Sequence, residues 1–138
     1  MRRSIQFATL AAIIALTTWA CGGATTATSP TSPLIPTTTE TFQGTLTPNG
    51  AQVYSFSSLV GTITETLTTV SPDATAAIGL SIGTWDGSSC TTFKANDNAI
   101  QGTVVTVGVT VAGPVCARVY DVGKLTGTIN FTVTLEHP

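Results

Sequence analysis

The chain has 138 residues, of which 29 are threonine and only 9% are charged. That composition favours β-structure with hydroxyls on its wet faces, and the length leaves room for one domain beyond a leader. Once Arg2 and Arg3 leave with that leader, Lys94, Arg118 and Lys124 stand against seven carboxylates. A formal charge of −4 argues against nucleic acid as a partner.

Met1-Arg2-Arg3 is a short basic start, Ile5 to Leu16 is an apolar run, and Thr18-Trp19-Ala20 ends in a small residue. Residues 1–20 are therefore expected to be a signal peptide, since the apolar run is too short to span ~30 Å of hydrocarbon. Cys21 follows Ala20 and precedes Gly22-Gly23, an arrangement that resembles the lipobox of bacterial lipoproteins, although Thr18 stands where that motif usually has leucine. The resemblance implies a lipidated Cys21 that holds the protein at a membrane of the cell envelope, each buried CH₂ of the lipid contributing about 0.8 kcal/mol. The alternative is ordinary cleavage near Ala20 or Ala24 and a secreted protein. Gly22 to Glu40 is Thr, Ser, Pro, Ala and Gly almost throughout, with Thr28-Ser29-Pro30 repeated as Thr31-Ser32-Pro33. Residues 21–40 are read as the anchor cysteine and a solvated spacer, residues 41–138 as the folded domain.

Phe42, Gly44 and Leu46 alternate with polar residues, and Thr47-Pro48-Asn49-Gly50 supplies a tight turn expected to make a first hairpin with Ala51–Ser57, whose Gln52, Tyr54 and Phe56 share a core face. Gly61 to Val70 places Ile63, Glu65 and Leu67 opposite a row of threonines. Glu65 is the odd member and is expected at a rim or edge. Ile78, Leu80 and Ile82 alternate with Gly79, Ser81 and Gly83, very small residues against which something can pack closely. Trp85-Asp86-Gly87-Ser88 marks a turn into a short strand at Cys90–Phe93, and Lys94 to Gly102, with Asn96-Asp97-Asn98, reads as a loop. Val105, Val107, Val109 and Val111 form the clearest alternation. The Cys116 strand follows, and Ile129, Phe131, Val133 and Leu135 make the last. Eight short strands without helical periodicity predict an all-β chain, an antiparallel β-sandwich of jelly-roll type, with a closed barrel as the alternative.

Cys-Ala-Arg-Val-Tyr-Asp-Val-Gly from Cys116 to Gly123, followed by a Phe-Thr-Val strand, resembles the bacterial pre-peptidase C-terminal domain. Phe42-Gln43-Gly44-Thr45-Leu46 and Tyr54-Ser55-Phe56 are similar to its opening strands. The resemblance spans residues 41–138 and implies a jelly-roll-like sandwich found on secreted and surface proteins. Val115-Cys116 replaces the aromatic pair usual in that family, and no calcium ligand set of its collagen-binding relatives is matched.

His137, the single histidine, is penultimate and expected in solvent, so a histidine-dependent catalytic site has no obvious centre, and no two carboxylates are brought together by spacing. The chain is therefore expected not to be an enzyme and to need no cofactor. Asn96, Asp97 and Asn98 give the one oxygen-rich stretch that invites calcium, though without EF-hand spacing. Trp85 and Tyr120 are the candidate ligand-binding aromatics, for an extracellular polymer or protein, or else they close the end of the core. Arg118 is expected on a strand surface beside a carboxylate. Cys90 and Cys116 are expected to pair in an oxidising compartment if Cys21 is lipidated. Two functions remain open, a surface-anchored binding or adhesion module and a structural envelope protein with no soluble ligand.

Overall fold

The computed structural model describes residues 35–138. The expected signal peptide, Cys21 and most of the spacer lie outside the described residues.

Eight strands follow in order: β1 (Thr38–Leu46), β2 (Ala51–Ser58), β3 (Gly61–Ser71), β4 (Ile78–Trp85), β5 (Cys90–Ala99), β6 (Val104–Val109), β7 (Gly113–Tyr120) and β8 (Ile129–His137). They form two antiparallel four-stranded sheets, one ordered β1-β8-β3-β6 and the other β2-β7-β4-β5. Consecutive strands thus alternate between sheets except at β4–β5, which is the jelly-roll arrangement of two interleaved Greek keys. The fold is a sandwich with open edges, not a closed barrel.

Alternation sets the core as expected. Ile63 and Leu67 of β3, Leu80 and Ile82 of β4, Val119 of β7, and Val133 and Leu135 of β8 are all fully buried between the sheets. Each such side chain contributes about 1.5–3 kcal/mol by leaving water. At one edge Phe42 stacks on Tyr54 with ring centroids 4.6 Å apart, the Tyr54 hydroxyl donates to the Gln43 carbonyl and Gln52 Nε2 donates to the Thr45 carbonyl. Side chains of β2 therefore close the seam between β1 and β2.

Several expectations are corrected. The turn at Thr47–Gly50 exists, with the Gly50 amide donating to the Thr47 carbonyl at 2.9 Å and Asn49 at φ 60°. It does not make a hairpin, because β1 pairs with β8 and β2 with β7. The first strand begins at Thr38, inside the segment assigned to the spacer. Residues 94–99 are strand and not loop. β5 is the edge of its sheet and exposed along most of its length, so backbone pairing to β4 holds it without an apolar pattern. Glu65 is not at a rim. It lies on β3 between Leu135 and Val105, fully buried. His137 is not in solvent, because the register of β8 turns it inward against Phe56, with ring centroids 4.8 Å apart.

Candidate functional site

The outer face of the β2-β7-β4-β5 sheet is built by a match of large and small residues. Cys116, Arg118 and Tyr120 of β7 stand opposite Gly83, Ser81 and Gly79 of β4. The ring of Tyr120 covers Gly79, where a β-carbon would fall 2.3 Å from the ring. The Arg118 guanidinium lies 4.6 Å from the centroid of the same ring, a cation–π contact in place of the expected carboxylate pair. The tyrosine hydroxyl donates to Asp97 Oδ1 on β5. Burial first, then the hydrogen bond to Asp97 and its charge, push the phenol up to about 12. With Gly79 beneath it and Arg118 against it, the ring works as a latch across β7, β4 and β5 and offers no open stacking face.

At the other end of this face, Cys116 and Cys90 form the expected disulfide, with Cα atoms 5.8 Å apart. β7 and β5 flank β4, so regular spacing would hold them ~9.5 Å apart. The start of β5 instead leans over β4 at Gly83, where an added β-carbon would lie 2.2 Å from the Thr91 carbonyl oxygen. The small residues that alternate along β4 are thus the floor on which Tyr120 and the Cys90–Thr91 backbone rest.

Each side chain of the oxygen-rich stretch has one oxygen engaged. Asp97 accepts from Tyr120, Asn98 Oδ1 accepts from Lys124 Nζ at 2.5 Å, and Asn96 Oδ1 accepts from the Asn98 amide at 2.9 Å. Among the described residues there is no group of three or more histidine, cysteine or acidic side chains suited to a metal. Asp86 and Asp121 organise turns rather than ligands. Asp86 accepts from the amides and hydroxyls of Ser88 and Ser89. These bonds, the Ser89 hydroxyl foremost, hold its carboxyl well below the usual range. Asp121 accepts from the amides of Asn49, Gly123, Lys124 and Leu125, and its carboxyl is likewise lowered, by Asn49 first.

His137, buried at the end of the core, has Nε2 3.1 Å from Glu40 Oε1 and Nδ1 3.2 Å from the Pro138 carbonyl. Both ring nitrogens are occupied, and the nearby buried Ser58 donates its hydroxyl to the Leu59 carbonyl. This cluster seals the sandwich and has no nucleophile paired to a base.

Trp85 and Tyr120 are not brought together. Their β4 partners place them six residues apart along the strand, and Trp85 belongs to a different feature. Where β5 and β6 leave the sandwich edge open, Trp85, Phe93, Val107, Val109, Val111 and Pro114 help line a cleft of about 660 Å³. No charged side chain lines it. Trp85 is half-buried, Phe93 is 44% exposed and Val111 77%. Sequence reasoning found Trp85 but missed Phe93, Val109 and Val111 as its neighbours. The signal was there in the continued valine alternation past the end of β6, which a wholly buried strand would not need.

The fold and surface define a jelly-roll sandwich with a disulfide across one face and an apolar cleft at one edge. No protein-family model matches the chain, and no curated protein does. Among solved structures it is similar to Aeromonas hydrophila PliG, a periplasmic lysozyme inhibitor of g-type lysozyme, at 12% identity, covering 70% of this chain and 83% of that one with a TM-score of 0.52. It is also similar, at 12% identity and a TM-score of 0.40 over 74% of this chain and 86% of the other, to a protein of Bacillus endospore appendages, disulfide-linked pili. At such identity the first likeness shows the fold.

Proposed function

We propose that this chain is a non-enzymatic, exported module of a bacterial cell envelope, anchored through lipid on Cys21, that binds a protein partner in the apolar cleft at Trp85. The observation that carries this reading is the cleft itself. A small chain holds Trp85, Phe93 and Val111 at solvent in one uncharged hollow, and exposed apolar patches of this kind mark interaction sites. Aromatic anchors in such pockets supply most of the energy of protein–protein contacts. The Cys90–Cys116 bond fits an oxidising compartment, and its neighbour in fold is named as a periplasmic inhibitor of another protein. A structural envelope role is the second reading, favoured by the threonine-covered outer face that Thr62, Thr64, Thr66 and Thr68 give to the other sheet.

Iodide quenching of Trp85 in the mature chain tests the first reading. We expect partial quenching, reduced when g-type lysozyme, used as the probe partner, is added, and no such protection in Val111→Asp. A tryptophan that iodide cannot reach would remove the cleft as a binding site. Labelled palmitate incorporation in a bacterial host, lost in Cys21→Ser, is the expected result for the anchor; an unmodified protein in the medium, starting beyond Cys21, would overturn it.

A further inference from the structure

Sheet edges offer unpaired backbone groups, and stable proteins blunt them with charges, proline, bulges or a cover. On the opposite side of the sandwich, Tyr54 and Gln52 of β2 reach across to carbonyls of β1. β6 has no such device. It reads Val-Val-Thr-Val-Gly-Val, pairs with β3 on one side in unbroken register, and carries no charge and no proline. Among the described residues no side chain or backbone group hydrogen-bonds to its outer edge. Val104, at its start, is 53% exposed.

We infer that β6 pairs antiparallel with β6 of a second copy of this chain, about a two-fold axis at Thr106, joining the two β1-β8-β3-β6 sheets into one of eight strands. Three features select a second copy as the occupant. First, a two-fold at Thr106 sets Val105 opposite the partner's Val107 and Val104 opposite the partner's Gly108. This register keeps core-facing residues on the core side in both copies, whereas a one-residue slip would invert one set. Second, the exposed Val104 meets an open position, because a β-carbon added at Gly108 would find nothing within 4 Å. Third, the edge is electrically self-compatible. The mature chain carries a net −4, yet β6 has no charge and β5 beside it has one of each sign, Lys94 and Asp97. Like charges are therefore not forced together.

The cleft shares Val107 and Gly108 with this pairing and continues past it to Val115, so a dimer presents two clefts, each bordering the joint. Edge pairing and binding in the cleft are separate properties of the chain: either can fail while the other holds.

The test uses the mature chain carrying Cys21→Ser. Sedimentation up to about 1 mM should show mass doubling with concentration. Thr106→Lys, at an exposed position, should return a folded monomer by setting two ammonium groups face to face. Thr106→Cys should crosslink on mild oxidation, since residues opposite each other in an antiparallel pair lie about 4.5–5.5 Å apart, within disulfide reach. Thr62→Cys, on the neighbouring β3, should not. A monomer throughout the range, a dimer unmoved by Thr106→Lys, or Thr106→Cys crosslinking no better than Thr62→Cys would each overturn the pairing. Iodide quenching of Trp85 read on the Thr106→Lys monomer keeps the test of the cleft separate from that of the pairing.

Discussion

The ring of Tyr120 rests on Gly79 so closely that a β-carbon there would sit 2.3 Å from the aromatic carbons. Its far end is held by Asp97, so the ring cannot simply swing aside. Gly79→Ala is therefore expected to destabilise the fold by about 1–3 kcal/mol, as overpacking does. Tyr120→Phe keeps the packing and loses only the hydrogen bond, about 1 kcal/mol. Urea unfolding of the two variants should rank them in that order, and equal effects would mean the ring can move.

Glu65 makes stability fall with rising pH. Burial among Leu135, Val105 and their neighbours pushes its carboxyl up to about 8, and neither oxygen has a hydrogen-bond partner. The folded state thus binds a proton that the unfolded chain has lost, so this group destabilises progressively from pH ~4.5 to ~8. Asp86 and Asp121 act oppositely. Their lowered values contribute stability above pH ~4 that is lost as the pH falls further. Unfolding midpoints should peak on the acid side of neutrality, and Glu65→Leu should flatten the limb between pH 5 and 8 and stabilise by a few kcal/mol at pH 8. An unchanged limb would show that Glu65 is not its source.

The disulfide closes a sequence separation of 26 residues, for which chain entropy gives about 3.5 kcal/mol. Reduction should lower the midpoint accordingly, and the intact mass of the unreduced protein should be two hydrogens lighter. Gly83→Ala should harm the same region even with the bond intact, because the obstacle it meets is the Thr91 backbone rather than a movable side chain. Rapid labelling of Cys90 and Cys116 in the folded, unreduced protein would contradict the bridge.

Millimolar calcium should leave the unfolding midpoint unchanged, since Asn96, Asp97 and Asn98 each give a side-chain oxygen to another protein group. A clear rise would show those bonds yielding to a cation.

Strand positions were legible because one face of each inner strand is dry, and alternation at Ile129–Leu135 or Ile78–Ile82 records that directly. What alternation cannot carry is which strand lies beside which. The turn at Pro48–Gly50 looks the same whether its strands pair or part to opposite sheets. Asn96-Asp97-Asn98 resembles a loop because an edge strand wet on both sides needs no apolar residues. His137 and Glu65 were misplaced for a related reason, as their burial comes from neighbours distant in sequence. The small residues of β4 did signal close packing, but nothing local said that Tyr120 and the Cys90–Thr91 backbone supply it.

Thr38 and His137 are register partners in the β1–β8 ladder. Residues near the two ends of the described chain thus lie about 5 Å apart on adjacent strands. The order in which the strands are synthesised is then close to a matter of convention: a short linker from Pro138 to Thr38, with the chain opened instead between Asp121 and Thr128, keeps every strand neighbour it has now. Such a circular permutant would carry both new chain ends at the far end of the sandwich, away from the start of β1.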